Sequence, residues 1–197
     1  YGVPLSLFNI KNNDEFGVLE VGMDKRGEID NLTKIIKPDL GIITNINYAH
    51  AKNFKNINQI ADAKAEIMNN IKKGGTIILN KDDKLYNFHK NLELKKKLKD
   101  VYFGIKDKSS NIKLNKIIKI KNKYKLFIKI KSKSLAFYYY SNNKSNLYNI
   151  LATLASINLL IDITKLKKGI FLDFKIPIGI GNILKLKFRQ KQFFVVD

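Results

Sequence analysis

Hydrophobic and polar positions along this chain fall into two regimes. In residues 1–100, apolar clusters alternate between strand-like runs and helical stripes. Residues 16–21, Phe16-Gly17-Val18-Leu19-Glu20-Val21, are a short apolar run ending at Gly22, which predicts a buried strand with one acid inside it. Residues 28–37 place Ile29, Leu32, Ile35 and Ile36 at helical spacing and stop at Pro38. A second buried strand is predicted over residues 40–46, and a helix over 57–71 with Ile60, Ala63, Ile67, Met68 and Ile71 on one side. Gly74-Gly75 ends that helix, residues 76–79 form a third strand, and 84–99 is helical. Strand and helix alternating with short connections predict an α/β fold, a mostly parallel sheet flanked by helices. In such sheets ligands gather at the carboxyl ends of the strands.

The second regime begins near residue 101. Residues 111–140 alternate loosely between apolar side chains and lysine, which predicts added antiparallel hairpins with one wet face. A helix rich in Leu, Ala and Ile follows over 146–161. Residues 183–197 resemble a hairpin turning near Arg189-Gln190, and the chain stops inside that apolar strand, which reads as truncation.

Composition narrows the classes. The 197 residues suit one domain plus a fragment of another, and 45% hydrophobic content allows a real core. Without cysteine, disulfides and thiolate metal sites are excluded. No apolar run reaches the roughly 18 residues of a membrane span, and no signal peptide is visible. The formal charge of +20, from 37 Lys+Arg against 17 Asp+Glu, suggests a polyanion partner when taken alone. Nearly all of it is lysine in a sequence equally heavy in Ile and Asn, as drift in an AT-rich genome would produce. Arginine, the residue of base and phosphate readout, occurs only at Arg26 and Arg189, which argues against nucleic acid as the primary partner.

Three polar groups stand out of place. Glu20 lies near the end of an apolar strand, so its carboxylate is paired, protonated or metal-bound, or else meets water at the strand end. His50 follows the second strand after a short turn. In a parallel sheet the two would emerge at one edge and could share a cation such as Mg²⁺ or Mn²⁺; a surface histidine is the plainer reading. Lys64 falls on the stripe Ile60, Lys64, Ile67, Ile71, which is otherwise apolar. It must snorkel, pair or change its charge, and snorkelling is the usual outcome. A phosphate loop is not visible: Gly17 and Gly22 have the spacing but are followed by Met23-Asp24.

Several segments, in order, resemble one family. Tyr1-Gly2-Val3-Pro4-Leu5 resembles its "GVP-L" stretch, and Glu20-Val21-Gly22-Met23 with Gly27-Glu28-Ile29 its "E-[LV]-G-M … G-E-I" segment. Pro38-Asp39 with Ile43-Thr44-Asn45-Ile46 and Ala49-His50 resembles "P-D … I-T-N-I … A-H". Ile60-Ala61-Asp62-Ala63-Lys64-Ala65-Glu66-Ile67 resembles "I-A-x-A-K-x-E-I", Leu79-Asn80-Lys81-Asp82-Asp83 resembles "L-N-x-D-D", and Asn146-Leu147-Tyr148-Asn149 resembles part of "H-N-x-x-N-A-L-A". The family is the Mur ligases, and within them the UDP-N-acetylmuramoyl-tripeptide–D-alanyl-D-alanine ligases.

The resemblance implies a cytoplasmic, ATP-dependent peptide ligase of cell-wall synthesis, here a fragment expected to be inactive alone. Its partners would be UDP-N-acetylmuramoyl-tripeptide and D-alanyl-D-alanine, joined through an acyl phosphate, with ATP and Mg²⁺ as cofactors and a monomer expected. Glu20, His50 and Lys64 match metal-site and catalytic positions, with Lys64 carbamylated by CO₂. Asn146 and Asn149 match asparagines near the adenine. Residues 1–176 would be the central ATP-binding domain without its phosphate loop, and 177–197 the start of the C-terminal domain. A Gly-Lys-Thr/Ser loop is expected to be encoded shortly before Tyr1. Ser145 replaces a family histidine, and Gly179-Ile180-Gly181 replaces Gly-Arg-Gly, removing a bidentate phosphate contact. The alternatives are another Mur ligase or a folylpolyglutamate synthase-like ligase, against which Gly27-Glu28-Ile29 argues, and a non-catalytic basic module that binds nucleic acid.

Overall fold

A computed structural model describes residues 2–48 and 53–174, and the backbone of 183–188 and 191–196. Six strands form one sheet in chain order: β1 (Leu40–Ile43), β2 (Thr76–Asn80), β3 (Lys99–Gly104), β4 (Ile112–Ile120), β5 (Lys123–Ile130) and β6 (Lys133–Tyr139). β1 to β4 are parallel neighbours, whereas β4–β5 and β5–β6 are antiparallel. The α/β class expected from the sequence is therefore borne out, with the antiparallel hairpins joined to the same sheet.

β2 is buried along its whole length, as a central strand covered on both faces must be. Its side chains alternate between two cores. Ile78 packs with Phe103, Ile112, Leu126 and Phe137 and with Leu147, Leu151 and Leu154 of α5 (Lys144–Leu160). Ile77 and Leu79 face the other way, with Met68 and Ile71 and the partly buried Tyr86 and Leu92 of α4 (Tyr86–Lys96). A third cluster joins Ile29 of α2 (Glu28–Ile36) to Ile60 and Ala63 of α3 (Ile57–Ala65), with Met23 and Phe54.

Capping fixes the helix starts. The Asn56 side chain accepts from the Gln59 amide at 3.1 Å at the head of α3, and Asn143 accepts from the Ser145 amide at 2.9 Å at the head of α5. α2 has no side-chain cap of its own, and Gly27 before it is left-handed, with φ 87°. Its open amides are met from a distance. Glu66 accepts from Gly27 N at 2.8 Å and from Asp30 N at 3.2 Å, tying α2 to the 3₁₀ turn Glu66–Asn69 that follows α3.

Three elements differ from the sequence reading. Residues 16–21 form no strand: Val18 is 95% exposed and Phe16 57%. The run pairs with no neighbour among the described residues, and an extended segment without a ladder is not a sheet strand. Burial alternates instead, with Val21 and Met23 packed on the α2–α3 cluster and Glu20 and Gly22 exposed. The strand β3 lies where the helix over 84–99 was expected to end. The short helix α1 (Gly2–Phe8) was not expected. The hairpin of β7 (Ile183–Phe188) and β8 (Lys191–Val196) forms where expected, as a two-stranded sheet of its own; its turn at Arg189-Gln190 lies outside the described residues, as do Gly179, Ile180 and Gly181. Among the described residues no helix is long and apolar enough to cross a membrane.

Candidate active site

A cleft of about 420 Å³ opens beyond the carboxyl ends of β1 and β2. One wall is the segment after β1, from Asn45 to Tyr48. The floor is Asn80 and the loop after β2, including Asp82, Asp83 and Lys84. The far wall is the first two turns of α5, with Lys144, Ser145 and Tyr148.

The motif Asn80-Lys81-Asp82-Asp83 builds this cleft. Asn80 ends β2 and reaches sideways, its Nδ2 donating to Thr44 O at 3.0 Å. Its Oδ1 accepts from the Asp82 amide at 3.0 Å and shapes the turn. The two aspartates then point to opposite walls. Asp83 Oδ2 accepts from Ile46 N at 2.8 Å and fixes the segment after β1, while its Oδ1 accepts from Leu85 N at 2.8 Å.

Asp82 serves the other side. Its carboxylate accepts from the amides of Ile105 (2.6 Å), Lys106 (2.8 Å) and Asp107 (2.8 Å), and from the Tyr148 hydroxyl at 2.9 Å. Partial burial pushes this carboxyl up, but the three amides and the phenol outweigh it and hold it below the ordinary value, so it stays ionised. The same burial, with the charge of Asp82, pushes the Tyr148 phenol well above its ordinary value, so the hydroxyl remains a donor. A side chain on Gly104 would crowd this site, its Cβ lying 2.9 Å from Ser110 Oγ and 3.2 Å from Asp82 Oδ1.

Lys64 is half-buried on α3, and its ammonium donates to Asn45 O at 2.9 Å. Burial lowers its pKa, and the charge of Asp83 pulls the other way. The stripe that singled it out is only partly kept, because α3 tightens into the 3₁₀ turn after Ala65 and changes the phase. Asp62 and Glu66 do point elsewhere, Asp62 to Arg26 at 3.8 Å and Glu66 to the head of α2.

The structure brings Lys64 to the segment lining one cleft wall, and leaves the other residues singled out in the sequence apart from it. Glu20 is exposed, which removes the premise of a carboxylate buried in a strand. His50 lies outside the described residues. Asn146 is half-buried and Asn149 exposed, and neither lines the cleft, although both sit in the turns of α5 that border it. Sequence reasoning gave no roles to Asp82, Asp83 and Tyr148. The available signal was two consecutive aspartates shortly after the apolar run Ile77-Ile78-Leu79. Among the described residues no three His, Cys, Asp or Glu side chains gather as a metal-ligand group.

A cleft walled by the loops after parallel strands and by a helix start belongs to a ligand-binding α/β domain. The profile of the Mur ligase middle domain matches residues 1–157. The chain belongs to the Mur ligase family, and the matched part is its middle domain. It is 36% identical over 123 residues to the UDP-N-acetylmuramoyl-tripeptide–D-alanyl-D-alanine ligase of Buchnera aphidicola, covering 58% of this chain and 26% of that protein. The fold is similar to a MurF crystal structure from Acinetobacter baumannii, with a TM-score of 0.81 and 22% identity over 98% of this chain and 41% of that one. It is also similar to the MurF ligase of Thermotoga maritima solved in complex with ADP, with a TM-score of 0.76 and 23% identity over 93% of this chain and 42% of that one. The chain spans about a quarter of the length of the Buchnera relatives it matches.

Proposed function

We propose that this chain is the central part of an ATP-dependent ligase that joins D-alanyl-D-alanine to UDP-N-acetylmuramoyl-tripeptide. The observation that carries this reading is the family match over residues 1–157, supported by the activity in the name of the Buchnera relative. The ADP in the Thermotoga neighbour supports a nucleotide as cosubstrate. In this reading the tripeptide carboxylate attacks the terminal phosphate of ATP and ADP leaves. The amine of D-alanyl-D-alanine then displaces phosphate from the acyl phosphate and forms the amide. Residues 1–176 serve as the central domain and the hairpin in 177–197 opens the next. The working enzyme is a cytoplasmic monomer.

Lys64 has two states with opposite consequences for a metal. As an ammonium bonded to Asn45 O it repels a cation. As a carbamate, formed when its neutral amine adds CO₂ and loses a proton, it offers anionic oxygens of the hard type magnesium takes. Half-burial favours the neutral amine that this addition requires. In the carbamate form Lys64 would offer Mg²⁺ an oxygen ligand, and in this reading the family resemblance supplies Glu20 and His50 as the further ligands. Bound there, the ion would neutralise charge on the transferred phosphoryl group. Asn146 and Asn149 border the base end of the nucleotide site.

The test is ATP-dependent release of phosphate by the full-length protein. It should require both UDP-N-acetylmuramoyl-tripeptide and D-alanyl-D-alanine and yield the joined pentapeptide by mass. Salt-sensitive binding to DNA or RNA with no response to ATP would support the basic-module reading instead.

A further inference from the structure

We propose that Tyr148 and Asp82 form a latch that positions the first turn of α5 as the nucleotide-facing wall of the cleft. This rests on the ligase reading above. The latch has three physical parts. Asp82 is a hub: Oδ2 accepts from Ile105 N, Lys106 N and the Tyr148 hydroxyl, and Oδ1 from Asp107 N. Three of the four donors converge on one oxygen, Oδ2. Of these, the phenol alone comes from α5, so one hydroxyl joins that helix to the loops after β2 and β3.

The second part is where α5 is held without it. Leu147, Ile150, Leu151 and Leu154 bury the body of the helix in the main core. Lys144 and Ser145, which line the cleft, are exposed. Core packing thus holds the helix from Leu147 onward and leaves the cleft-lining Lys144 and Ser145 ahead of it to the Asn143 cap and the phenol. The third part is reach. The Tyr148 ring meets Phe103 edge-on at 6.5 Å between centroids, and Phe103 is fully buried on β3. The ring is seated by packing, and the hydroxyl is its only hydrogen-bonding group.

Tyr148 is therefore a positioning residue, acting on nucleotide binding through the α5 turn. Tyr148→Phe keeps the ring and removes the latch. In the full-length ligase it should raise KM for ATP roughly tenfold, the scale of one hydrogen bond to a charged acceptor, with kcat changed less than about twofold. The KM for D-alanyl-D-alanine should not move. In an Asp82→Asn background, adding Tyr148→Phe should raise KM for ATP much less than it does alone, since the two share one interaction. ADP affinity measured by calorimetry gives the same comparison without turnover, and thermal unfolding monitors the fold.

A Tyr148→Phe enzyme with lowered thermal stability but unchanged KM for ATP and unchanged ADP affinity would overturn the latch and make the contact purely structural. Full additivity of the two substitutions would overturn it as well. If the unsubstituted full-length protein neither binds ADP nor turns over ATP, the ligase reading falls and the latch with it. A wild type that works beside an indifferent Tyr148→Phe removes the latch alone.

Discussion

The Lys64 ammonium donates to the backbone carbonyl of Asn45 at 2.9 Å, just past the carboxyl end of β1. That bond ties an amine whose pKa burial has lowered to a residue that lines the cleft, with Asp83 pulling the other way. It also explains how a lysine survives on an otherwise apolar stripe: the head leaves the core while the stem stays in it.

Replacing this amine should remove the anionic group that the proposed metal site needs. Lys64→Ala in the full-length protein should abolish ligation, and short carboxylic acids added to the assay should restore part of it by supplying the missing oxygens. Initial rates with and without added acid check this. Near-normal turnover by Lys64→Ala would remove the carbamate from the account.

His89 gives a pH-dependent term. It is 2% exposed on α4, and its Nε2 lies 3.1 Å from Ala61 O on α3, so the neutral ring with its proton on Nε2 fits the contact. Burial lowers its pKa below the ordinary 6.5, against the smaller effect of that hydrogen bond. A depressed folded-state pKa gives stability that is full above the unfolded value and is lost as pH falls below it. The urea midpoint should therefore drop between about pH 7.5 and about pH 5.5. In His89→Gln that dependence should flatten. The depressed carboxylate Asp82 titrates from an ordinary 3.8 downward and leaves this window clear. An equal pH slope in both proteins would contradict the assignment.

Glu66 should matter for stability out of proportion to its place in a 3₁₀ turn. It accepts two of the open amides at the head of α2, and removing a cap of this kind costs about 1 kcal/mol. Glu66→Ala should lower the Tm by about 2–4 °C in a domain of this size. Asp62→Ala, which breaks only the exposed 3.8 Å contact with Arg26, should leave it nearly unchanged. Differential scanning of the three proteins decides between them.

Long, strongly periodic segments were legible in the sequence. α2, α3, β2 and α5 lie where apolar spacing put them, because each buries one face or both in a core that the pattern encodes. The failures share one cause: strand identity depends on a neighbour that the pattern does not name. Residues 16–21 are as apolar as β2 but pair with nothing described, and Val18 meets water. β3 was given no element of its own, its first residue, Lys99, being read as the end of a helix, since only its last two residues, Phe103 and Gly104, are buried. In the site, Lys64 stood out because charge on an apolar stripe is anomalous. Asp82 and Asp83 did not, because aspartates after a strand read as an ordinary turn. Their importance comes from the amides of residues 46 and 105–107, brought to them by the sheet.

The central claim is that this cleft belongs to a ligase spending ATP to join D-alanyl-D-alanine to a UDP-linked tripeptide. The most direct measurement incubates the full-length protein with ATP, Mg²⁺, UDP-N-acetylmuramoyl-tripeptide and D-alanyl-D-alanine, and follows phosphate and the mass of the UDP-linked product. The account predicts one phosphate released per pentapeptide formed, and none when either peptide substrate is left out. ATP consumption without a new amide, or no response to ATP with all four components present, would contradict it.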